Sequence, residues 1–274
     1  MERIIETVLE IGLEKPVKIL HVTDVHLTDS LPEDDPEQQE HMVKRTEVFR
    51  KEANYPPKAP AEYFEESFAL AQKEGAVMMV SGDVMDVYCK GNVKEFHRIA
   101  DGHDYMFTPG SHEFALFARA PKGDDPEEYK ANYQKRRDEV EALFPELHWK
   151  FESRIVGGVN ILAIDNSRDF YTAEAFEFLK TEVAKGLPIV LFSHDPLADH
   201  GLLRVREPHP LVRRTEEEYR INDEMLKFID TCPQIIATFG GHWHGEGLRE
   251  TPGGKPVYIT PGLFKGICRM IEIR

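Results

Sequence analysis

The chain is poor in cysteine and in positive charge, and it lacks long apolar runs. Its three cysteines, Cys89, Cys232 and Cys268, lie far apart with no Cys-x-x-Cys spacing. That pattern argues against a disulfide framework or a zinc ribbon and favours a reduced compartment. Lys and Arg number 34 against 49 Asp and Glu, for a formal charge of −15. Such a surface repels nucleic acid and anionic membranes unless a local basic patch intervenes. No stretch approaches the length of a membrane span. The first twenty residues carry Glu2, Arg3, Glu6, Glu10, Glu14 and Lys15 in place of an apolar signal core, so the expected setting is cytoplasmic.

What is present is ordinary globular material: 274 residues, 41% hydrophobic and 30% charged. That is enough for a full core. The expectation is a single domain over 1–274, with insertions at 28–60 and 199–220.

Ile4 to Leu13 alternates like a strand, and Glu14-Lys15-Pro16 turns it towards the run Val17 to Val22, which predicts an amino-terminal hairpin. Thr28 to Pro60 is acidic and proline-punctuated around a polar helix from Glu37 to Ala53; it is either a lid or a solvated excursion. After Pro60 the spacing predicts a helix ended by Gly75 and a buried strand Val77 to Val80. Asn92 and Glu95 have capping-box spacing before a short helix. Further on, the pattern predicts a short strand at 105–108, a charged helix from Asp125 to Phe144, and strands near Trp149–Phe151 and Val159–Ile164. Then come a helix capped by Thr172, a strand ending at Ser193, a helix over Asn222–Asp230 and a strand Ile235–Phe239. Val257–Ile259 and Ile267–Ile273 read as a closing pair of strands. Alternating helices and strands indicate a layered α/β domain.

Polar clusters recur where the apolar runs stop. Asp24 and His26 follow the strand at 17–22, and in extended chain residues i and i+2 point the same way. Asp83 and Asp86, then Ser111 and His112, then His194, then His242 and His244 follow four later runs. Open α/β sheets place their sites at these carboxyl ends. Glycines at 82, 110 and 240–241 let the backbone turn sharply where side chains converge. His21, inside the first strand, reads as a core residue, and Trp243 as a packing residue.

The ordered blocks Asp-x-His, Gly-Asp-x-x-Asp, Gly-x-His-Glu, His and Gly-His-x-His resemble the calcineurin-like metallophosphoesterase superfamily over about residues 17–265. The resemblance implies a four-layer α-β-β-α sandwich of two mixed sheets with a dinuclear metal centre at the sheet edge. By position, Asp24, His26, Asp83 and His244 would hold one metal. Asp83, His194, His242 and residue 111 would hold the second. The family pattern has Asn at 111 where this chain has Ser111, which implies weaker occupancy of the second metal. His112 would act at the leaving oxygen as general acid or stabilise charge there, oriented by Asp86. Mixed imidazole and carboxylate donors suit manganese, iron, zinc, nickel or cobalt. Two such ions generate a bridging hydroxide that attacks phosphorus.

The implied activity is metal-dependent hydrolysis of a small phosphomonoester or phosphodiester. Arg204 and Arg206 are candidate contacts to the substrate phosphate. Two alternatives stand beside this reading. One is a nuclease of the same superfamily, which the net charge disfavours. The other is a catalytically degenerate metal-binding regulatory module, which Ser111 keeps open.

Overall fold

A computed structural model describes residues 1–115, 138, 142, 151–167, 170–199, 202–203 and 215–274. The predicted helix at 125–144 falls almost wholly outside them, as do Arg204 and Arg206.

The elements run β1 (Arg3–Leu9), β2 (Val17–Val22), α1 (Pro36–Glu52), α2 (Pro60–Glu74), β3 (Val77–Ser81), α3 (Lys90–Ala100) and β4 (Met106–Thr108). They continue as β5 (Phe151–Val156), β6 (Val159–Ile164), α4 (Ala173–Val183), β7 (Ile189–Phe192), β8 (Ala198–Asp199) and β9 (Leu202–Leu203). Last come α5 (Glu216–Thr231), β10 (Ile235–Gly240), β11 (Gly247–Glu250), β12 (Pro256–Ile259) and β13 (Ile267–Ile273). One mixed sheet has the order β1-β13-β2-β3-β4 and the other β11-β12-β10-β7-β6-β5.

Period-2 alternation decides the layering. On β2, Ile19 faces the other sheet and packs with Met79, Val190, Phe239 and Ile271. Its neighbours Leu20 and Val22 face outwards onto Phe64 and Phe68 of α2. The second sheet buries Leu162 and Leu191 under Leu179 of α4 and Met225 and Ile229 of α5. Helix, sheet, sheet, helix is therefore the order of layers, as the resemblance implies. Both faces of each central strand are apolar, so these strands read as continuous hydrophobic runs.

Helix ends follow local chemistry. Gly75 closes α2 at φ 62°, in the left-handed region. The Thr172 hydroxyl accepts from Ala175 N at the start of α4, and Thr215 with Glu218 forms a capping box on α5. At α3 the prediction fails: Cys89 is the N-cap and no side chain caps the helix. Asn92 turns inwards, donating to Val87 O and accepting from Asp29 N.

Two pairing expectations also fail. β1 does not form a hairpin with β2, because β13 lies between them, parallel to β1 and antiparallel to β2. β12 and β13 are not partners either; they belong to different sheets.

Candidate metal centre

The strands β2, β3 and β4 run parallel in one sheet, and β7 and β10 run parallel in the other. Their carboxyl ends carry the polar clusters. The loops after β2 and β3 continue the pairing of their strands: Asp24 N donates to Gly82 O at 2.9 Å, His26 N to Asp83 O at 3.0 Å and Leu27 N to Val84 O at 2.8 Å. The two sheets are joined at the same point, where His242 N donates to Asp24 Oδ2 at 2.9 Å.

Seven non-glycine residues among those described have positive φ, and five of them are Asp24, His26, Asp83, His242 and His244, at 51–63°. Each costs of order 1 kcal/mol in a side-chain-bearing residue. The main chain departs from its ordinary conformation here to aim side chains at one place.

Three groups of donors result. Asp24, His26 and His244 converge within 4.8 Å of one another, as do Asp83, His194 and His242, and as do His26, Asp86 and His112. Ser111 is half-buried, between Gly110 and His112 in the chain. His112 N donates to Asp83 Oδ1 at 2.9 Å, and its Nδ1 donates to the Asp86 main-chain carbonyl at 2.6 Å. The Asp86 carboxylate is 3.3 Å from that nitrogen. It instead accepts from His26 Nδ1 at 3.0 Å and from Arg45 Nε and Nη2 at 2.7 and 2.8 Å.

These donors fit a metal. An ionised carboxylate only accepts, so His26 Nδ1 carries the proton it gives Asp86, and His244 Nδ1 carries the one it gives Glu52, 3.0 Å away. The two Nε2 atoms then face each other at 3.0 Å, a pair that either one shared proton or a metal ion would hold together. Two nitrogens each about 2.1 Å from one ion fit that separation. His194 Nε2 lies 3.0 Å from Asp83 Oδ2 and His244 Nε2 3.4 Å from Asp24 Oδ1, buried donor pairs without well-aligned hydrogen bonds that binding an ion would satisfy.

Charge and burial compete throughout. Burial pushes the Asp24 carboxyl up, but His244 and His194 outweigh it and bring it to about 2. Burial pushes His194 down, but Asp83 and Asp24 hold it well above its ordinary value. Desolvation opposes charge on the half-buried His112 as well, but Asp83 and Asp86 raise it to about 9. Burial prevails at His26, which is lowered. These shifts favour ionised Asp24 and Asp83 and a protonated His194, whose proton a bound metal ion would displace. His21 belongs to the core as expected: burial lowers it to about 3, and it bonds Ser81 and Thr260.

Glu113 shapes the second group without joining it. Its buried carboxylate accepts from the N–H groups of Asp83, Val84, Met85 and Gly110 at 2.6–3.2 Å. Replacing it by Gln turns an amide donor towards two of those donors. Glu113→Gln is expected to cost about 2 kcal/mol or more in urea unfolding. An unchanged midpoint would show that the carboxyl is already neutral, consistent with burial and Asp83 pushing it to about 7.

Several contributors escaped the sequence reading. Arg45, Phe49 and Glu52 lie on one face of α1, the predicted insertion helix, which packs directly on the site. Phe49 stacks on His26 at 4.3 Å. Their i, i+4, i+7 spacing was the available signal. Trp243 is 40% exposed and does not pack into the core as expected.

A family model for calcineurin-like phosphoesterase matches residues 17–246. The chain belongs to that family. It is a metal-dependent phosphoric ester hydrolase. No curated protein matches this phosphoesterase in sequence. Among solved structures it is similar to a dimetal phosphatase from Danio rerio, with 9% identity, 91% of this chain and 88% of that one covered, and a TM-score of 0.50. It is similar also to the protein TT1561 of Thermus thermophilus, with 16% identity, 91% of each chain covered and a TM-score of 0.47. A third is a 5'-nucleotidase from Candida albicans, with 14% identity, 90% of this chain and 45% of that one covered, and a TM-score of 0.46. At these identities the likeness is one of fold. No helix among the described residues is long and apolar enough to cross a membrane.

Proposed function

We propose that this phosphoesterase hydrolyses a small phosphomonoester or phosphodiester at a two-metal centre. Asp24, His26, His244 and Asp83 would hold one ion, and Asp83, His194, His242 and Ser111 would hold the other. The observation that carries this reading is the pair of three-donor groups where the carboxyl ends of the two sheets meet, with the Nε2 atoms of His26 and His244 3.0 Å apart. Bound divalent ions supply Lewis acidity towards the phosphoryl oxygens and bring a water's pKa near neutrality.

The protein's own groups complete the reaction. The water oxygen bonds to phosphorus as the ester P–O bond breaks, and the departing oxygen needs a proton. His112 is placed to give it: Nδ1 is engaged by the Asp86 carbonyl, which leaves Nε2 facing the centre, 4.0 Å from Asp83 Oδ2. Asp83 and Asp86 favour the imidazolium that donates. The charge of −15 favours a small substrate over nucleic acid.

Metal removal is the direct test. The stripped protein is expected to release no nitrophenol from aryl phosphomonoesters or diesters, and added manganese is expected to restore release. Failure of every divalent ion tried to restore turnover would sink the proposal.

A further inference from the structure

Helix α1 belongs to an insertion between the first two motif blocks, yet it reaches both imidazoles of one donor group. Glu52, in its last turn, accepts from His244 Nδ1 at 3.0 Å, and Lys265 Nζ lies 3.0 Å from the same oxygen. That carboxylate oxygen is therefore committed to orienting His244. Arg45 grips Asp86 through two hydrogen bonds, and Asp86 in turn accepts from His26 Nδ1. Phe49, between Arg45 and Glu52 on the helix, stacks on the His26 ring at 4.3 Å and 24°, and the Arg45 guanidinium lies 4.5 Å from the Phe49 ring centre.

The second donor group is backed differently. His194 Nδ1 donates to the main-chain carbonyl of Ser81, at the end of β3, at 2.8 Å. His242 Nδ1 lies 3.3 Å from Asp195, in the loop after β7. Both partners belong to the two central sheets or the loops that leave them.

We propose that α1 is the outer support of one metal position only, with Glu52 and Arg45 as positioning residues that set the affinity of the Asp24–His26–His244 site. This rests on the two-metal reading above. Carboxylates behind imidazole ligands fix ring orientation and tautomer and raise ligand basicity, and losing one costs about 10–100-fold in metal affinity. The insertion then tunes one ion while the central sheets hold the other.

The test is a manganese titration of the metal-stripped full chain by calorimetry, with histidine tautomers followed by ¹⁵N NMR. The wild type is expected to show two binding steps. Glu52→Ala should weaken one step by about 10–100-fold, leave the other within about twofold, and change the tautomer signature of His244. Glu52→Gln, which keeps an acceptor for Nδ1, should recover part of the loss. Arg45→Gln should weaken the same step. In a His194→Ala background, which removes the other site, the remaining step should still respond to Glu52→Ala. Because Glu52 is half-exposed at a helix end, the thermal midpoint should barely move. Two unchanged steps, or two steps weakened alike, would overturn the inference and leave the two-metal reading intact. A wild type that takes up no manganese would overturn both.

Discussion

Asp83→Asn is expected to lower turnover of an aryl phosphate by on the order of 10³-fold or more at saturating manganese. The substitution keeps the size of the side chain and one oxygen, and removes its charge. In the wild type, Oδ1 accepts from His112 N at 2.9 Å, and Oδ2 lies 3.0 Å from His194 Nε2 and 4.0 Å from His112 Nε2. One carboxylate thus anchors the loop of the proposed acid, faces a proposed ligand and supplies field to both. Asn offers a bound ion a weaker donor atom and lets the His112 proton leave more easily, so metal occupancy and acid function both decline. The steady-state rate should be measured together with bound metal per chain. Turnover at the wild-type rate would remove Asp83 from the centre.

Gly110→Ala is expected to disable the centre while the fold survives. A Cβ at Gly110 would lie 2.1 Å from Asp83 Oδ1, 2.8 Å from its Cγ and 2.8 Å from its main-chain N. Gly110 is not one of the glycines with positive φ, so the conflict is one of space. The Asp83 side chain has to move out of the position where His112 N and His194 meet it. Loss of about 1–3 kcal/mol of stability is expected from the overpacking. Hydrolysis should fall on the order of 100-fold, since small misplacements of reacting groups are costly. Retention of full activity would show that Asp83 has room the geometry denies.

Much of the centre was legible because its donors follow five strands in turn. An apolar run that stops at a carboxylate or imidazole locates the end of a buried strand, and five such stops in order specify the set. The helix from Pro60 to Gly75 and the caps Thr172 and Gly75 were legible for a similar reason: capping chemistry is local. Arg45 and Glu52 were not. A polar helix face looks the same in sequence whether it meets water or a charged site, so α1 read equally well as a solvated excursion.

Strand partners were hidden for a different reason. β1 pairs with β13, Arg3 opposite Ile267 and Leu9 opposite Ile273, and no local pattern connects segments so far apart in the chain. Proximity suggested a β1–β2 hairpin, but the outer position beside β13 is where β1 is held. By itself the sequence determined the alternation of elements and the residues at the strand ends, because periodicity, caps and turn signals act within a few residues; the four-layer class was implied by the family resemblance of the motif order. Tertiary structure alone decided which strands are neighbours, that α1 closes on the centre, and that His26 and His244, 218 residues apart, point their Nε2 atoms at one another. Those outcomes depend on how two sheets bury their shared face, which is a property of the whole chain.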